Sequence, residues 1–96
     1  MKIIITESRV INFIYKEFES MRLRPVKDTC IAGTPCIKLI DKSGEEIFRI
    51  DVANDVYFSG EILYLTELFS IDIGFFKTII KSYLRDVLGY NINRVL

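Results

Sequence analysis

The chain of 96 residues contains no histidine and no tryptophan. Histidine is the commonest general base and metal ligand, and it is the usual partner of a serine or cysteine nucleophile. Its absence leaves carboxylates, lysines and tyrosines for acid–base chemistry, and no pair of them forms a recognisable catalytic motif. The sequence therefore predicts a protein that is not an enzyme. It offers no catalytic, cofactor-binding or metal-binding residue and no small-molecule substrate.

Net charge is also missing, because 13 basic residues balance 13 acidic ones. Such a chain has no overall field to steer it toward nucleic acid or an anionic membrane, and it has little repulsion between copies. No run approaches the ~20 apolar residues that cross a bilayer, and the opening segment is too short for a signal-peptide core. We therefore expect no membrane contact. A protein partner or self-association is favoured over nucleic acid.

Cysteine is scarce, with only Cys30 and Cys36. Without a secretory signal, two cysteines indicate a reducing, intracellular setting. Two thiolates cannot complete a tetrahedral zinc site alone, although two chains could share one, and the spacing differs from the C-x-x-C of redox catalysts. A disulfide across the intervening turn is geometrically feasible, but the expected compartment argues against it. The prediction is two ordinary thiols, buried or half-buried.

What is present is the composition of one folded domain spanning residues 1–96, since half of the residues are apolar and about a quarter are charged. Lys2–Ile5 contains three successive β-branched isoleucines and predicts a strand. Thr6 offers an N-cap for a helix that runs to about Arg22. The apolar face of this helix is predicted at Val10, Ile11, Ile14, Phe18 and Met21.

A helix is not expected to continue through Pro25, and residues 24–34 are predicted to form a connection without regular structure. Alternating apolar and polar residues then predict strands at Cys36–Asp41 and Glu45–Val52, joined in an antiparallel hairpin. Val56–Phe58 gives a brief third strand. The middle of the chain therefore predicts a meander.

Ser59 and Asp72 are candidate N-caps for two amphipathic helices joined by a tight turn, and Gly89 is a natural stop for the second. A final short strand within Asn91–Val95 is weakly indicated. The predicted order is β-α-β-β-β-α-α(-β). This order is typical of an α+β fold in which helices pack on one face of a small, mostly antiparallel sheet.

The opening K-I-I-I-T-E-S resembles the start of many small uncharacterised proteins encoded by tailed bacteriophages. Further points of similarity are a D-x-x-G turn at Asp41 and Gly44, an isolated Asp51, and an F-x-I segment at Phe69 before the last helix. Arg9 stands where Gln is usual. The resemblance implies a phage origin, in the host cytoplasm or the virion. It implies no activity, because the matched residues have no known catalytic or binding role.

Leu65–Leu84 has the spacing of a helix-turn-helix, with Lys77, Thr78, Lys81 and Arg85 on the outward side of the second helix. The usual Gly in the turn is missing, and basic residues late in a helix also suit its dipole without any partner. These four residues are candidates for a partner-binding or nucleic-acid-binding surface. A DNA-binding regulator is accordingly the alternative function.

Tyr57 lies on the thin third strand, which we expect at the edge of the sheet. An exposed aromatic side chain there indicates a partner contact or dimerisation through the sheet, and packing beneath the terminal helices is the other interpretation. Four nearby acids are predicted to be solvated rather than to bind Mg²⁺ or Ca²⁺; they are Glu45, Glu46, Asp51 and Asp55.

These observations together predict a small phage-type accessory protein that works by protein–protein binding. Either a virion component or a host-directed inhibitor fits.

Overall fold

The computed structural model describes residues 6–96, so the predicted strand Lys2–Ile5 lies outside the described residues. Helices and strands form an α+β arrangement, with four successive strands between the first two helices. In chain order they are α1 (Glu7–Ser20), β1 (Arg24–Thr29), β2 (Pro35–Ile40), β3 (Glu46–Ile50), β4 (Asp55–Phe58), α2 (Tyr64–Leu68), α3 (Ile73–Ser82) and β5 (Arg94–Val95). One-turn 3-10 segments lie at Ile31–Gly33 and Gly60–Ile62, and a π-helical segment at Tyr83–Val87 extends α3.

The described strands form one sheet in the order β1-β2-β3-β4-β5. The first four are an antiparallel meander, whereas β5 returns parallel to β4 through two residues. The α+β class, the hairpin and the closing strand are thus confirmed. The residues of the site described below lie on the strands of this sheet or in the loops that connect them.

The first helix follows the predicted pattern. Val10, Ile14 and Phe18 are buried, at the three- and four-residue spacing that puts them on one face. Thr6 precedes the helix in an extended conformation, and its carbonyl accepts hydrogen bonds from the amides of Arg9 and Val10, both 3.1 Å. The Thr6 hydroxyl makes no capping bond, so that part of the prediction is wrong.

Residues 24–29 are a strand rather than part of an irregular connection, which corrects the prediction. The error arises because Pro25 by itself favours a loop. β1 lies at the edge of the sheet formed by the described strands, where proline is tolerated because an outward-facing amide is not needed for strand pairing. Of the predicted connection, only residues 30–34 remain a loop.

The β2–β3 hairpin turns where its residue types predict. The Asp41 carboxylate accepts from the amides of Ser43 and Glu45 at 2.9 and 3.0 Å, and Gly44 takes a φ of +91°. The register then shifts, so that Leu39 pairs with Phe48 but Ile40 pairs with Glu46. This bulge lets both Ile47 and Phe48 be buried.

The C-terminal helical pair is shorter at its start than predicted. The Ser59 hydroxyl accepts from the Glu61 amide at 3.2 Å, but it caps a single 3-10 turn, and the α-helix that follows has only five residues. The Asp72 cap is confirmed, since its carboxylate accepts from the Phe75 amide at 2.7 Å. Gly89, with a φ of +79°, ends the second helix as predicted.

The core is centred on Phe18, which is fully buried. Its ring centroid lies 5.4 Å from that of Phe48 on β3, 5.1 Å from Tyr83 and 6.5 Å from Phe76. One side chain of α1 therefore contacts both the sheet and the last helix. All three described helices contribute buried residues to this cluster, so they pack against the same face of the sheet.

Replacing Phe18 tests this arrangement. Phe18→Ala is expected to lower the free energy of unfolding by about 3–5 kcal/mol, because it leaves a cavity where three rings meet. Phe13→Ala is the matched control, since Phe13 lies on the same helix, is partly exposed and stacks only on Phe69. Urea unfolding followed by circular dichroism measures both. Equal losses for the two variants would contradict a core centred on Phe18.

Candidate protein-binding surface

The face of the sheet opposite the helices carries a row of side chains that crosses four strands. Val26 on β1 pairs with Lys38 on β2, Lys38 pairs with Arg49 on β3, and Arg49 pairs with Tyr57 on β4. Successive residues alternate between faces, so these four point away from the buried Leu39 and its neighbours. No described helix packs over them, and we call this surface the open face.

Two cations are neighbours in the centre of this row, an arrangement that is unfavourable without counter-charges. Two carboxylates supply them. The Lys38 ammonium lies 2.9 Å from Asp28 Oδ2 and 3.7 Å from Glu46 Oε1. The Arg49 guanidinium donates through Nε and Nη2 to Glu46, at 3.1–3.2 Å. The four charges therefore neutralise one another on the open face.

The same contacts shift two pKa values. The hydrogen bond from Lys38, followed by that from the Thr29 amide, lowers the pKa of the Asp28 carboxyl. In return, the hydrogen bond to Asp28 and then the charges of Asp28 and Glu46 raise the pKa of Lys38. Both groups lie at the surface, where an ion pair contributes little to the stability of the fold. The main effect of the pair is to hold the two side chains in place on the open face.

A groove of about 360 Å³ lies at one end of the open face. Three of its residues are exposed apolar ones: Ile31 is 84% exposed, Val52 65% and Tyr57 46%. The groove is lined by Cys30, Ile31, Thr34, Arg49, Asp51, Val52 and Tyr57. Contiguous exposed apolar surface with a polar rim is typical of an interaction site. We call these seven residues the groove.

A disulfide joins Cys30 to Cys36, so the prediction of two free thiols is wrong. The two residues face each other across the 30–36 loop with a Cα–Cα distance of 5.8 Å, within the range for a disulfide. The expected reducing compartment argues against a bond that the loop geometry permits, and this is why the prediction is wrong. Closing a loop of this length contributes roughly 2–3 kcal/mol to stability in the chain-entropy description.

Tyr57 is exposed, as the partner-contact interpretation required, but β4 is not an edge strand. β5 pairs with its other side through Asp55–Arg94 and Val56–Val95, and the Leu96 amide donates to the Val56 carbonyl at 2.8 Å. The expectation of an edge position is therefore corrected. Tyr57 is presented on the face of the sheet and not by a free strand.

The β1 edge is protected against pairing with another strand. The amide of Cys30 bonds within the loop to the Thr34 carbonyl, so alternation places the outward amides at 25, 27 and 29. Pro25 has no amide hydrogen, and the Thr29 amide donates to the Asp28 carboxylate at 2.7 Å. Among residues 6–96, Lys27 is the one residue of β1 whose outward amide makes no hydrogen bond, and its charge opposes close approach. A partner is therefore expected on the face of the sheet.

The four predicted helix residues do share one side of the α3 helix and its π-helical extension, but they differ in availability. Thr78 and Arg85 are exposed, whereas Lys77 and Lys81 are half-buried. The Lys81 ammonium donates to the Asn93 carbonyl at 3.0 Å, which ties it to the C-terminal segment. The side chains are therefore not brought together as a free basic surface.

The acidic residues near the hairpin are not all solvated as predicted. Asp55 is buried, and its carboxylate accepts from Arg94 Nε at 3.2 Å and from the side-chain Nδ2 of Asn93 at 3.1 Å. Asp51 is half-buried and accepts from the amides of Ala53 and Asp55, each at 2.9 Å. Among residues 6–96, no group of three or more His, Cys, Asp or Glu side chains is placed to hold a metal ion. The Asp51 carboxylate stabilises the turn after β3, and the Asp55 carboxylate binds the segment that contains β5.

Sequence reasoning found Tyr57 but missed Ile31, Val52 and Arg49. A large aliphatic residue inside the glycine- and proline-containing loop CIAGTPC was the available signal for Ile31, because such a loop cannot bury it. The alternating pattern predicts a strand at Val52, whereas this residue lies in the turn after β3 and is exposed. No local pattern connects it to Ile31, since the sheet brings the two loops together.

Asp28→Asn tests the charged row. The pKa of Lys38 is expected to fall toward its ordinary value of 10.5, because the first cause of its rise is removed. NMR titration of the Lys38 side chain measures this, with Glu46→Gln as the control that should have a smaller effect. An unchanged Lys38 pKa in Asp28→Asn would contradict the pairing.

The lowered pKa of Asp28 also predicts how its contribution to the stability of the fold depends on pH. This contribution is present above pH 3.8, the ordinary pKa of the group, and is lost as pH falls through the lowered value.

None of the helices within residues 6–96 has the length and apolar character needed to cross a bilayer. Comparison of the chain with protein-family models, curated proteins and solved structures finds no match. Its function therefore has to be argued from the side chains of the open face and the groove.

Proposed function

We propose that this chain is a small phage-type accessory protein that acts by binding another protein, and not by catalysis, through the groove on its open face. The observation that carries the proposal is the cluster of Ile31, Val52 and Tyr57, all well exposed around a concave site. Exposed apolar groups that line a concavity gain most when a partner removes them from water.

Arg49 and Tyr57 add a second argument. Tyrosine and arginine are enriched among the residues that dominate binding energy at protein interfaces. Here they are cross-strand neighbours, and both line the groove. Arg49 uses Nε and Nη2 for Glu46, so its Nη1 group makes no hydrogen bond to another of the described residues. Those donors are available to a carbonyl or carboxylate of the partner.

The partner that fits is a protein segment with an apolar side chain beside an oxygen acceptor. The apolar group would cover Tyr57 and Val52, and the acceptor would bond to Arg49. Because the other charges of the open face already pair with one another, binding would depend mainly on buried apolar surface. A second copy of this chain is one candidate for this partner.

Of the two roles compatible with the phage resemblance, a virion component fits the disulfide better than a cytoplasmic, host-directed inhibitor. Disulfides persist in oxidising environments, including virion surfaces, and are rare where cellular thiols keep cysteines reduced. The Cys30–Cys36 bond is therefore an argument for the virion.

Substitutions in the groove test the proposal. Immobilised wild-type protein is used to capture its partner from phage particles and infected-cell lysate, and the dissociation constant is then measured. Tyr57→Ala is expected to weaken binding about 30-fold, the effect of losing an interface hot spot. Val52→Ser should weaken it in the same direction.

Two matched controls lie on the helical side of the molecule. Tyr64 is 49% exposed and Leu68 is 65% exposed, close to the values of Tyr57 and Val52. Tyr64→Ala and Leu68→Ser should leave binding within about threefold of wild type, as for residues outside an interface. Binding that is lost in the controls but kept in the groove variants would move the interface to α2. Sedimentation of the purified protein over a range of concentrations shows whether the partner is a second copy.

DNA binding through Lys77, Thr78, Lys81 and Arg85 is the alternative, and the geometry favours it less. The first helix of the expected pair has only five residues, and Lys81 is already bonded within the chain. The proposal predicts no retention of random duplex DNA at low salt. Micromolar binding that weakens steeply at moderate salt would instead support the regulator.

A further inference from the structure

The disulfide forms part of the groove, and we propose that it is a redox switch: reduction of Cys30–Cys36 releases the loop that carries Ile31 and weakens binding at the groove. This inference rests on the proposed function, because the groove is the site whose binding it controls. Both cysteines of the chain are committed to this one bond.

The bond fixes the most exposed apolar residue of the groove. Cys30 lines the groove, and Ile31 follows it directly. Cys36 is buried within β2, opposite Asp28 on β1. The disulfide therefore fastens the first residue of the loop to the sheet, and it holds Ile31 on the same side of the molecule as Tyr57.

The loop contains a conformation that is unfavourable without this constraint. Ala32 has a φ of +58°, in the left-handed region where a Cβ atom is crowded by the backbone, and Gly33 follows at +73°. Four hydrogen bonds hold the turn. The Gly33 and Thr34 amides donate to the carbonyls of Cys30 and Ile31, both at 3.2 Å, the Cys30 amide donates to the Thr34 carbonyl at 2.7 Å, and the Thr34 hydroxyl donates to the Ile31 carbonyl at 2.8 Å. Once the covalent tie is broken, Ala32 can return to an ordinary φ at the expense of these bonds.

The chemistry requires an external dithiol, such as dithiothreitol or a cellular dithiol reductant. Its thiolate attacks the Cys30 sulfur, because Cys30 is half-buried whereas Cys36 is buried. The S–S bond breaks, Cys36 leaves as a thiolate and takes up a proton, and a mixed disulfide forms at Cys30. The second thiol of the reductant then displaces Cys30, which is also protonated. Two electrons pass from the reductant, which becomes a disulfide.

Hydrogen exchange measures the loop independently of any partner. After reduction with dithiothreitol, the amides of Gly33 and Thr34 are expected to exchange at least about tenfold faster, because the opened turn no longer protects them. The amides of β3 should be unchanged. The double variant Cys30→Ser, Cys36→Ser should behave as the reduced protein with or without dithiothreitol. Ala32→Gly should show a smaller response, since glycine adopts a positive φ without strain.

The groove itself is probed with anilinonaphthalene sulfonate, an apolar dye whose anionic group suits Arg49. Tyr57→Ala should weaken the binding of the dye to the oxidised protein, whereas Tyr64→Ala should not. Reduction should weaken this binding at least about fivefold, in line with the loss of Ile31 from the site.

Three results would overturn the switch and leave protein binding intact. They are free thiols at both cysteines in protein purified without reductant, unchanged exchange at Gly33 and Thr34 after reduction, and equal dye affinity in the two redox states. If Tyr57→Ala leaves the dye affinity unchanged in both the oxidised and the reduced protein, the groove is not the binding site. That result would end the proposed function and the switch together.

Discussion

The packing of Phe18 between the sheet and the last helix is the contact on which the arrangement of the molecule depends. Its ring meets Phe48 of β3 on one side and Tyr83 and Phe76 on the other. Because α1 and α3 share this contact, both are held on one face of the sheet. A five-stranded sheet with its described helices on a single side leaves its other face to water or to a partner.

The open face has to be stable without a covering layer, and its composition follows from that constraint. A row of apolar residues would favour aggregation, and a row of unpaired charges would repel itself. The chain instead places Lys38 and Arg49 side by side and neutralises them with Asp28 and Glu46. The strongly exposed apolar side chains on this face lie at one end of it, in the groove.

The parts of the fold that were predictable are those determined by neighbouring residues. The face of α1, the Asp41–Gly44 turn and the Asp72 cap each depend on contacts within a few positions, so the sequence pattern was sufficient. β1 was missed because Pro25 is compatible with a strand only at an edge, and edge position depends on the whole sheet. α2 was predicted too long because Ile62 and Leu65 are apolar and buried, whether or not the helix between them is continuous.

The candidate site was less predictable, for the same reason. Alternation predicts that one of Tyr57 and Phe58 is exposed without saying which, and the neighbours of Tyr57 in the groove, Ile31 and Val52, come from two different loops. The disulfide depends on how closely β1 and β2 approach, which spacing permits but does not require. The expected edge position of Tyr57 was wrong because β5 reaches β4 from a distant part of the chain.

This last pairing connects the C-terminal segment to the groove. Asp55 is buried, and its carboxylate binds Arg94 and Asn93, while its amide donates to Asp51, whose carboxylate also holds the turn at Ala53. Val52 lies in that turn, and Tyr57 lies two residues beyond Asp55 on the same strand. Asp55 therefore fixes the strand that presents Tyr57 through its buried carboxylate, and it supports the turn that presents Val52 through its backbone amide. The geometry of the groove thus depends on residues at the far end of the chain that do not line it.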